Sequence, residues 1–248
     1  MLKSAILAAA CLATTLVLPA RAEMTEDQRK EFRAEVRAYL LENPEVLSEA
    51  IGILQDRQAA EEAKGDVALV AANSAAIFAD AASWVGGNPD GDVVIVEFMD
   101  YRCGYCRKAN AEVDELVTTD GNIRFIVKEF PILGPESDLS SRFAISVLQM
   151  HGPEAYLKAH DALIALRGPA DEKNLQRLAS DLGLAAEPIM AHMKLPEVEA
   201  VIAANHGLAQ SLQINGTPTF VIGDTLVRGY VPLDGMRDMV AGARKTKG

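Results

Sequence analysis

Apolar positions recur along this chain with two different periods, and the changes between them mark its elements. Val93-Val94-Ile95-Val96-Glu97-Phe98-Met99 is a β-branched, apolar run interrupted only by Glu97, the pattern of a strand buried on both faces. Behind it, Ala109, Val113, Leu116 and Val117 fall at helical steps, so the strand turns into a helix. Ile123 to Val127 predicts a second buried strand, Gly216 to Ile222 a third, and Thr225 to Gly229 a fourth, with a closing helix from about Leu233. The intervening stretch, about 138–211, carries Phe143, Val147 and Met150, then Leu157, Leu163 and Leu166, then Leu175, Leu178 and Leu182 at helical spacing. Gly152-Pro153 and Gly168-Pro169 break it into several helices. Strands alternating with helices predict an α/β fold.

The N-terminal third follows other rules. Phe32, Val36, Tyr39 and Leu40 lie at helical steps, Asn43-Pro44-Glu45 reads as a cap with proline at the first helical position, and Val46, Leu47, Ile51 and Leu54 continue the stripe. Two amphipathic helices are predicted, and about 40 residues bury too little surface to stand alone. Their stripe must pack on something, either the rest of the chain or the same segment of other subunits. The charged run Gln58 to Lys64, followed by Gly65, reads as an exposed stalk or linker and favours the second option. Ahead of these helices, Lys3, an uncharged stretch from Ser4 to Ala20 and the small-x-small step Ala20-Arg21-Ala22 form the pattern of an export signal, residues 1–22. Lipidation at Cys11 is the weaker reading, because the apolar run continues past it. Export by this signal implies a periplasmic protein.

Composition then narrows the function. The 248 residues are 49% hydrophobic and 24% charged, an ordinary globular balance. A formal charge of −11 and only 5% aromatics exclude nucleic acid as a partner, since phosphate calls for a basic face and single strands for stacking platforms. Without the export signal, two of the three cysteines remain, Cys103 and Cys106 in Cys103-Gly104-Tyr105-Cys106. A disulfide enclosing two residues constrains almost nothing in the unfolded chain, so stapling is a poor explanation. A structural zinc site needs four ligands, and His151, His160, His192 and His206 lack the spacing. In an oxidising compartment the remaining reading is a thiol pair that cycles between dithiol and disulfide. At the start of a helix, Cys103 meets unpaired amides and the positive dipole end, which favour its thiolate and make it the nucleophile. Cys106, one turn further in, suits a shielded resolving thiol. No cofactor is implied, because the electrons reside on sulfur.

The buried strand entering Cys103-Gly104-Tyr105-Cys106, the strand leading to Lys128-Glu129-Phe130-Pro131, the helical stretch and Gly216-Thr217-Pro218-Thr219 together resemble the DsbA family of thioredoxin-like thiol-disulfide oxidoreductases, over roughly residues 80–246. The resemblance implies a thioredoxin-like fold with an inserted helical subdomain at 138–211, and a cis Pro218 preceded by Thr217 and facing the redox pair. It also implies that Glu97 and Lys128 lie beneath the active site and exchange protons with Cys106, an ion pair that merely satisfies itself being the alternative. Met150, Met190 and Met193 either line a substrate groove or pack in the core, the second being the plainer role. A helical module, residues 23–65, ahead of such a domain, residues 66–248, is similar to the suppressor-of-copper-sensitivity proteins of type C, and that similarity implies oligomerisation through residues 25–64, as a trimer or, second, a dimer.

Gly104-Tyr105 with Thr217 resembles the periplasmic disulfide isomerases more than the strong oxidases, which carry Pro-His between the cysteines and Val before the proline. The resemblance therefore implies an isomerase or reductase acting on misoxidised or reduced exported proteins and recharged by a membrane redox partner. Net oxidation of dithiols is the alternative. Two further readings stay open: a Cu(I) site on the two soft thiolates of Cys103 and Cys106, and a passive interaction protein using the fold as a scaffold.

Overall fold

The computed structural model describes residues 24–247, and the chain divides into two compact units, one up to Arg57 and one from Gln58 onward. The expected export signal, Cys11 included, lies outside the described residues. Among the described residues no helix is long and apolar enough to cross a membrane.

In the first unit, helix α1 (Glu26–Glu42) opens with a reciprocal cap: Gln28 N–H donates to the Thr25 hydroxyl and Thr25 N–H to the Gln28 side chain, satisfying two amides that lack helical partners. It ends at Asn43, whose side-chain amide donates to the Tyr39 carbonyl at 2.9 Å. Asn43 therefore closes the first helix instead of capping the second, because its NH2 finds an orphan carbonyl at the end of α1. Helix α2 (Glu45–Ala72) follows. Helix α1 buries no residue, and Phe32, Val36, Tyr39, Leu47, Ile51 and Leu54 are 40% to 59% exposed, so the predicted stripe forms and has no cover within its own unit. Gln58 to Lys64, expected as a linker, is exposed but helical, part of the unbroken run of α2.

The second unit is built on a sheet of strands β1 (Trp84–Gly87), β2 (Val93–Met99), β3 (Ile123–Glu129), β4 (Thr219–Ile222) and β5 (Thr225–Arg228), in the order β1-β3-β2-β4-β5. The central pair, β2 and β3, is parallel and joined by helix α4 (Gly104–Asp120); the other pairings are antiparallel. Helix α4 stops at Gly121, which adopts φ 70°, a conformation glycine takes without steric cost. The predicted helical stretch resolves into α5 (Pro135–His151), α6 (Pro153–Ala165), α7 (Glu172–Asp181), α8 (Ala186–His192) and α9 (Pro196–Ser211), and α10 (Leu233–Lys247) closes the chain.

Both faces of the sheet are covered, as the uninterrupted apolar run of β2 requires. On one face Val96, Phe98, Ile126 and Val221 pack against Leu208 of α9 and Leu212 just after it, against Val70 near the end of α2 and against Ile77 of the short helix α3 (Ser74–Phe78). Residues ahead of position 80 thus contribute to the core of the sheet unit, which the sequence features did not indicate. On the other face Ile95, Ile123, Phe220 and Ile222 pack against Val113 and Leu116 of α4 and Met236 and Val240 of α10. At one end of that face Met99, Val127 and Cys106 join the inner sides of α5 to α8, including Phe143, Tyr156, Leu163, Leu175, Met190 and Met193. Met190 and Met193 are buried there and Met150 is exposed, which answers the choice between groove and core for the first two. Phe98 is fully buried, and truncating it to alanine costs about 3–5 kcal/mol on the scale of buried aromatic deletions.

Candidate active site

The turn from β2 into α4 is organised by Asp100, which is fully buried. Its carboxylate accepts from the amides of Arg102 (2.7 Å), Ile132 (2.8 Å) and Leu133 (3.0 Å), and its carbonyl accepts from the Cys103 amide (3.1 Å). Three amide donors to one charged acceptor make strong bonds and tie the turn to the loop after β3. Cys103 is thereby set as the N-cap of α4: its sulfur accepts from the Cys106 amide at 3.5 Å. The thiol also donates to the carbonyl of Thr217 at 3.2 Å, and the Thr217–Pro218 bond is cis. The Thr219 hydroxyl donates to the Gly216 carbonyl (2.8 Å) and the Gly229 amide to the Pro218 carbonyl (2.9 Å), which fix the loop opposite the helix end. The structure thus brings Cys103, Cys106, Thr217 and Pro218 together. Gly104 and Tyr105 are exposed between the cysteines; the Tyr105 ring stacks on Tyr230 at 6.0 Å, and Lys108 Nζ lies 4.2 Å from the Tyr230 ring centre.

Both cysteines are free thiols in unequal environments. The Cys103 thiol is pulled down from 9.0 to about 5, chiefly by the hydrogen bond from the Cys106 thiol; the Thr217 side chain and the amides of Cys106 and Tyr105 add to this, against partial desolvation. Cys106, only 1% exposed, is pushed up because its proton is used in that same hydrogen bond, because it is desolvated, and because Glu97 is near. One sulfur is a ready nucleophile and the other holds its proton.

Glu97 is buried on β2, and burial, then the charges of Cys103 and Glu129, lift its carboxyl from 4.5 to about 8. It lies on the α4 face with Ile95 and Met99. Lys128 does not. Register pairs Glu97 with Val127, so the next residue on β3 points to the opposite face, where Lys128 Nζ donates to the Asp80 carboxylate at 2.6 Å and to the Ala76 carbonyl at 2.9 Å. Lys128 is therefore not placed to exchange protons with Cys106, and the alternative Glu97–Lys128 ion pair does not form. Desolvation lowers the Lys128 ammonium while Asp80 opposes that shift.

The sequence reading gave no role to Glu129, which stands on the Glu97 face. Its carboxylate is buried and accepts from Tyr156 (2.6 Å), Ser141 (2.7 Å) and Tyr101 (2.8 Å). Desolvation raises it from 4.5 to about 7 against those three bonds. The only signal for it was strand parity: Glu129 is two residues from Val127, the cross-strand partner of Glu97. Among the described residues no group of three or more His, Cys, Asp or Glu could hold a metal ion; the copper reading rests on the two cysteine sulfurs.

Residues 94–241 match the family model described as a DSBA-like thioredoxin domain, and residues 28–61 match that of the copper resistance protein ScsC N-terminal domain. A thioredoxin-like oxidoreductase from Silicibacter pomeroyi DSS-3 is 45% identical, with a TM-score of 0.65, over 69% of this chain and 97% of that one. A linker-deletion mutant of ScsC from Proteus mirabilis is 28% identical, with a TM-score of 0.67, over 92% of this chain and all of that one. Among curated proteins, a Na(+)/H(+) antiporter NhaA 1 from Salinispora arenicola is 26% identical over 160 residues, and the chain spans about a quarter of that relative's length, 24%.

Proposed function

We propose, from the premise that the chain belongs to the DSBA-like thioredoxin-domain family, that it is a thiol-disulfide oxidoreductase of exported proteins working mainly as a disulfide isomerase or reductase. The observation that carries the oxidoreductase reading is the asymmetric pair: a Cys103 sulfur that ionises near pH 5 at the start of α4, facing the Thr217 carbonyl, beside a Cys106 that keeps its proton; the isomerase or reductase direction rests on Gly104-Tyr105 and Thr217. At pH 7 such a group holds about a hundred thiolates for each thiol. The Cys103 thiolate attacks a substrate disulfide; a sulfur–sulfur bond forms between Cys103 and one substrate sulfur, and the other substrate sulfur leaves as a thiolate with the electron pair. A substrate thiol then releases the enzyme in isomerisation. In reduction, Cys106 loses its proton and attacks Cys103, forming the intramolecular disulfide and freeing the second substrate thiolate. Glu97 is the group positioned to take that proton.

The uncovered apolar stripe of α1 and the start of α2 supports assembly with further copies, a trimer by preference and a dimer second, and the likeness of residues 28–61 to the ScsC N-terminal family supports the same. Export to the periplasm follows from the signal pattern of residues 1–22, and recharging would fall to a membrane-bound redox partner. The test is refolding of a scrambled disulfide substrate: the protein restores native pairing and Cys103→Ser does not; activity retained in that variant refutes the reading.

One observation favours a net oxidase as the second reading. The more the Cys103 thiolate is stabilised, the more oxidising the disulfide becomes, and a value near 5 is well down that scale without any histidine between the cysteines. The equilibrium constant with glutathione decides: a pair close to thioredoxin supports isomerisation, and one close to the strongest oxidants supports net oxidation. Copper handling rests on the name of the N-terminal family match and on two sulfurs able to bind Cu(I). It predicts stoichiometric copper binding by the reduced form that Cys106→Ser abolishes.

A further inference from the structure

Beyond the redox pair, the second unit contains a polar chain that runs from the buried carboxyl of Glu129 to a cavity of about 480 Å³, bounded by β1, α4 and α6. The Tyr101 hydroxyl links Glu129 (2.8 Å) to His160 Nδ1 (3.1 Å), and His160 Nε2 meets the Asn110 side-chain oxygen at 2.9 Å. His160 and Asn110 both line the cavity, together with Trp84, Phe125 and Leu157. His160 is only 6% exposed, and desolvation holds it near 4, so it stays neutral at physiological pH.

A neutral imidazole has one N–H and one lone pair, and that restricts the chain to two polarities. With Glu129 ionised, Tyr101 donates to the carboxylate, so its oxygen accepts from His160 Nδ1–H, and the Asn110 amide turns over so that its NH2 donates to the Nε2 lone pair. With Glu129 protonated, the carboxyl donates to Tyr101, Tyr101 donates to His160 Nδ1, and Nε2–H donates to the Asn110 oxygen. Passing between these states moves one proton from Glu129 to the cavity: carboxyl to Tyr101 oxygen, Tyr101 hydroxyl to Nδ1, Nε2–H to water. No electron moves, and the buried carboxyl gains an exit to solvent that bypasses the sulfurs.

Glu129 bears on the sulfurs through Glu97. Register pairs Met99 with Glu129 and Glu97 with Val127, so the two carboxyls share the α4 face on adjoining strands, and the Glu129 charge opposes ionisation of Glu97. The groups facing Glu129 are Glu97, Asp100 and Tyr101 from β2 and the turn after it, Tyr156 and His160 from α6, Ser141 from α5, and Asn205 of α9, whose amide donates to the Glu129 carbonyl at 3.0 Å. None is a cation in these states. We propose that Glu129 is a positioning residue for the resolving step, which sets the basicity of Glu97 toward Cys106 and exchanges its own proton with the cavity through Tyr101 and His160. This rests on the oxidoreductase reading above.

The test is the pH dependence of the step in which Cys106 displaces a mixed disulfide from Cys103, followed in single turnover for the full chain and for Glu129→Gln. Glutamine keeps the shape and an acceptor oxygen but holds no charge. The rising limb set by Glu97 is expected to move to lower pH by about one unit, the size of a like-charge effect between neighbouring buried groups. A limb that stays in place while the variant still exchanges overturns the proposal, since a structural role alone would change stability and leave the midpoint. Should Glu129→Gln fail to fold, infrared pH titration of Glu97→Gln carries the test: a buried carboxyl band vanishes with a midpoint near 7, and its absence overturns the proposal. Failure of the oxidoreductase reading looks different, as the unmodified protein then exchanges disulfides at no pH.

Discussion

Replacing Glu97 with glutamine separates two properties that usually fall together, because the residue that assists the sulfur also weakens the fold. Its carboxyl titrates at 4.5 in an unfolded chain and at about 8 in the folded one. Between those values the folded protein holds a proton that the unfolded chain has released, so the native state binds more protons and stability falls as pH rises through that window. At about 1.4 kcal/mol per pH unit, the penalty at pH 7 is on the order of 3 kcal/mol. Glutamine keeps a neutral, isosteric group in the same place and has no such slope. The variant is therefore expected to match the parent near pH 4.5, to be more stable by roughly 3 kcal/mol at pH 7, and to level off at a lead of roughly 5 kcal/mol above pH 8. Urea unfolding of the reduced proteins at intervals from pH 5 to 8 measures the gap. In the disulfide form the Cys103 charge that helps raise Glu97 is gone, so the gap narrows. Resolution of the mixed disulfide should at the same time lose its rising limb toward pH 8. Stability curves that run parallel across this range, or an unchanged pH–rate profile, refute the reasoning.

Other expectations concern single groups. Alkylation of the reduced protein at Cys103 rises with a midpoint near pH 5, while Cys106 stays unmodified until the chain unfolds; a midpoint above 8 removes the nucleophile assignment. Asp100→Asn turns an acceptor toward amides into a donor, and the loss of charge-assisted bonds costs about 2–4 kcal/mol in denaturant unfolding, a neutral result refuting its part in holding the turn. Phe32→Glu on the uncovered stripe shifts the sedimenting species to a smaller mass; an unchanged mass shows that the stripe does not join copies.

What could be read before the structure was whatever has a period. Val93 to Met99 spans β2 residue for residue, Leu233 begins α10, and the glycine-proline steps at 152 and 168 separate helices as expected. Strand β1 escaped because Trp84-Val85-Gly86-Gly87 has neither alternation nor a β-branched run, and Val70 and Ile77 escaped because the short apolar clusters around them, Leu69-Val70 and Ile77-Phe78, do not repeat with a period. The candidate redox site was legible because its residues are four consecutive positions and one distant Thr-Pro step, which the fold brings together. Its surroundings were not. Lys128 and Glu129 are neighbours in sequence, and only the cross-strand register decides that the first joins Asp80 and the second faces Glu97. The hydrogen bonds of Tyr101 with Glu129 and His160, and of Tyr156 with Glu129, span 27 to 59 positions, which no local pattern reports.

The chain contains a single tryptophan, Trp84, and its place on β1 gives it a use. The indole stacks on the Tyr156 ring at 5.5 Å and donates to the Pro153 carbonyl at 3.0 Å, while the Tyr156 hydroxyl donates to Glu129. Light emitted by this one fluorophore therefore comes from beside the buried acid, and its intensity should follow the charge there as pH is varied. Protonation events a helix away from the sulfurs become observable in unlabelled protein, without a dye, a reporter enzyme or an added chromophore.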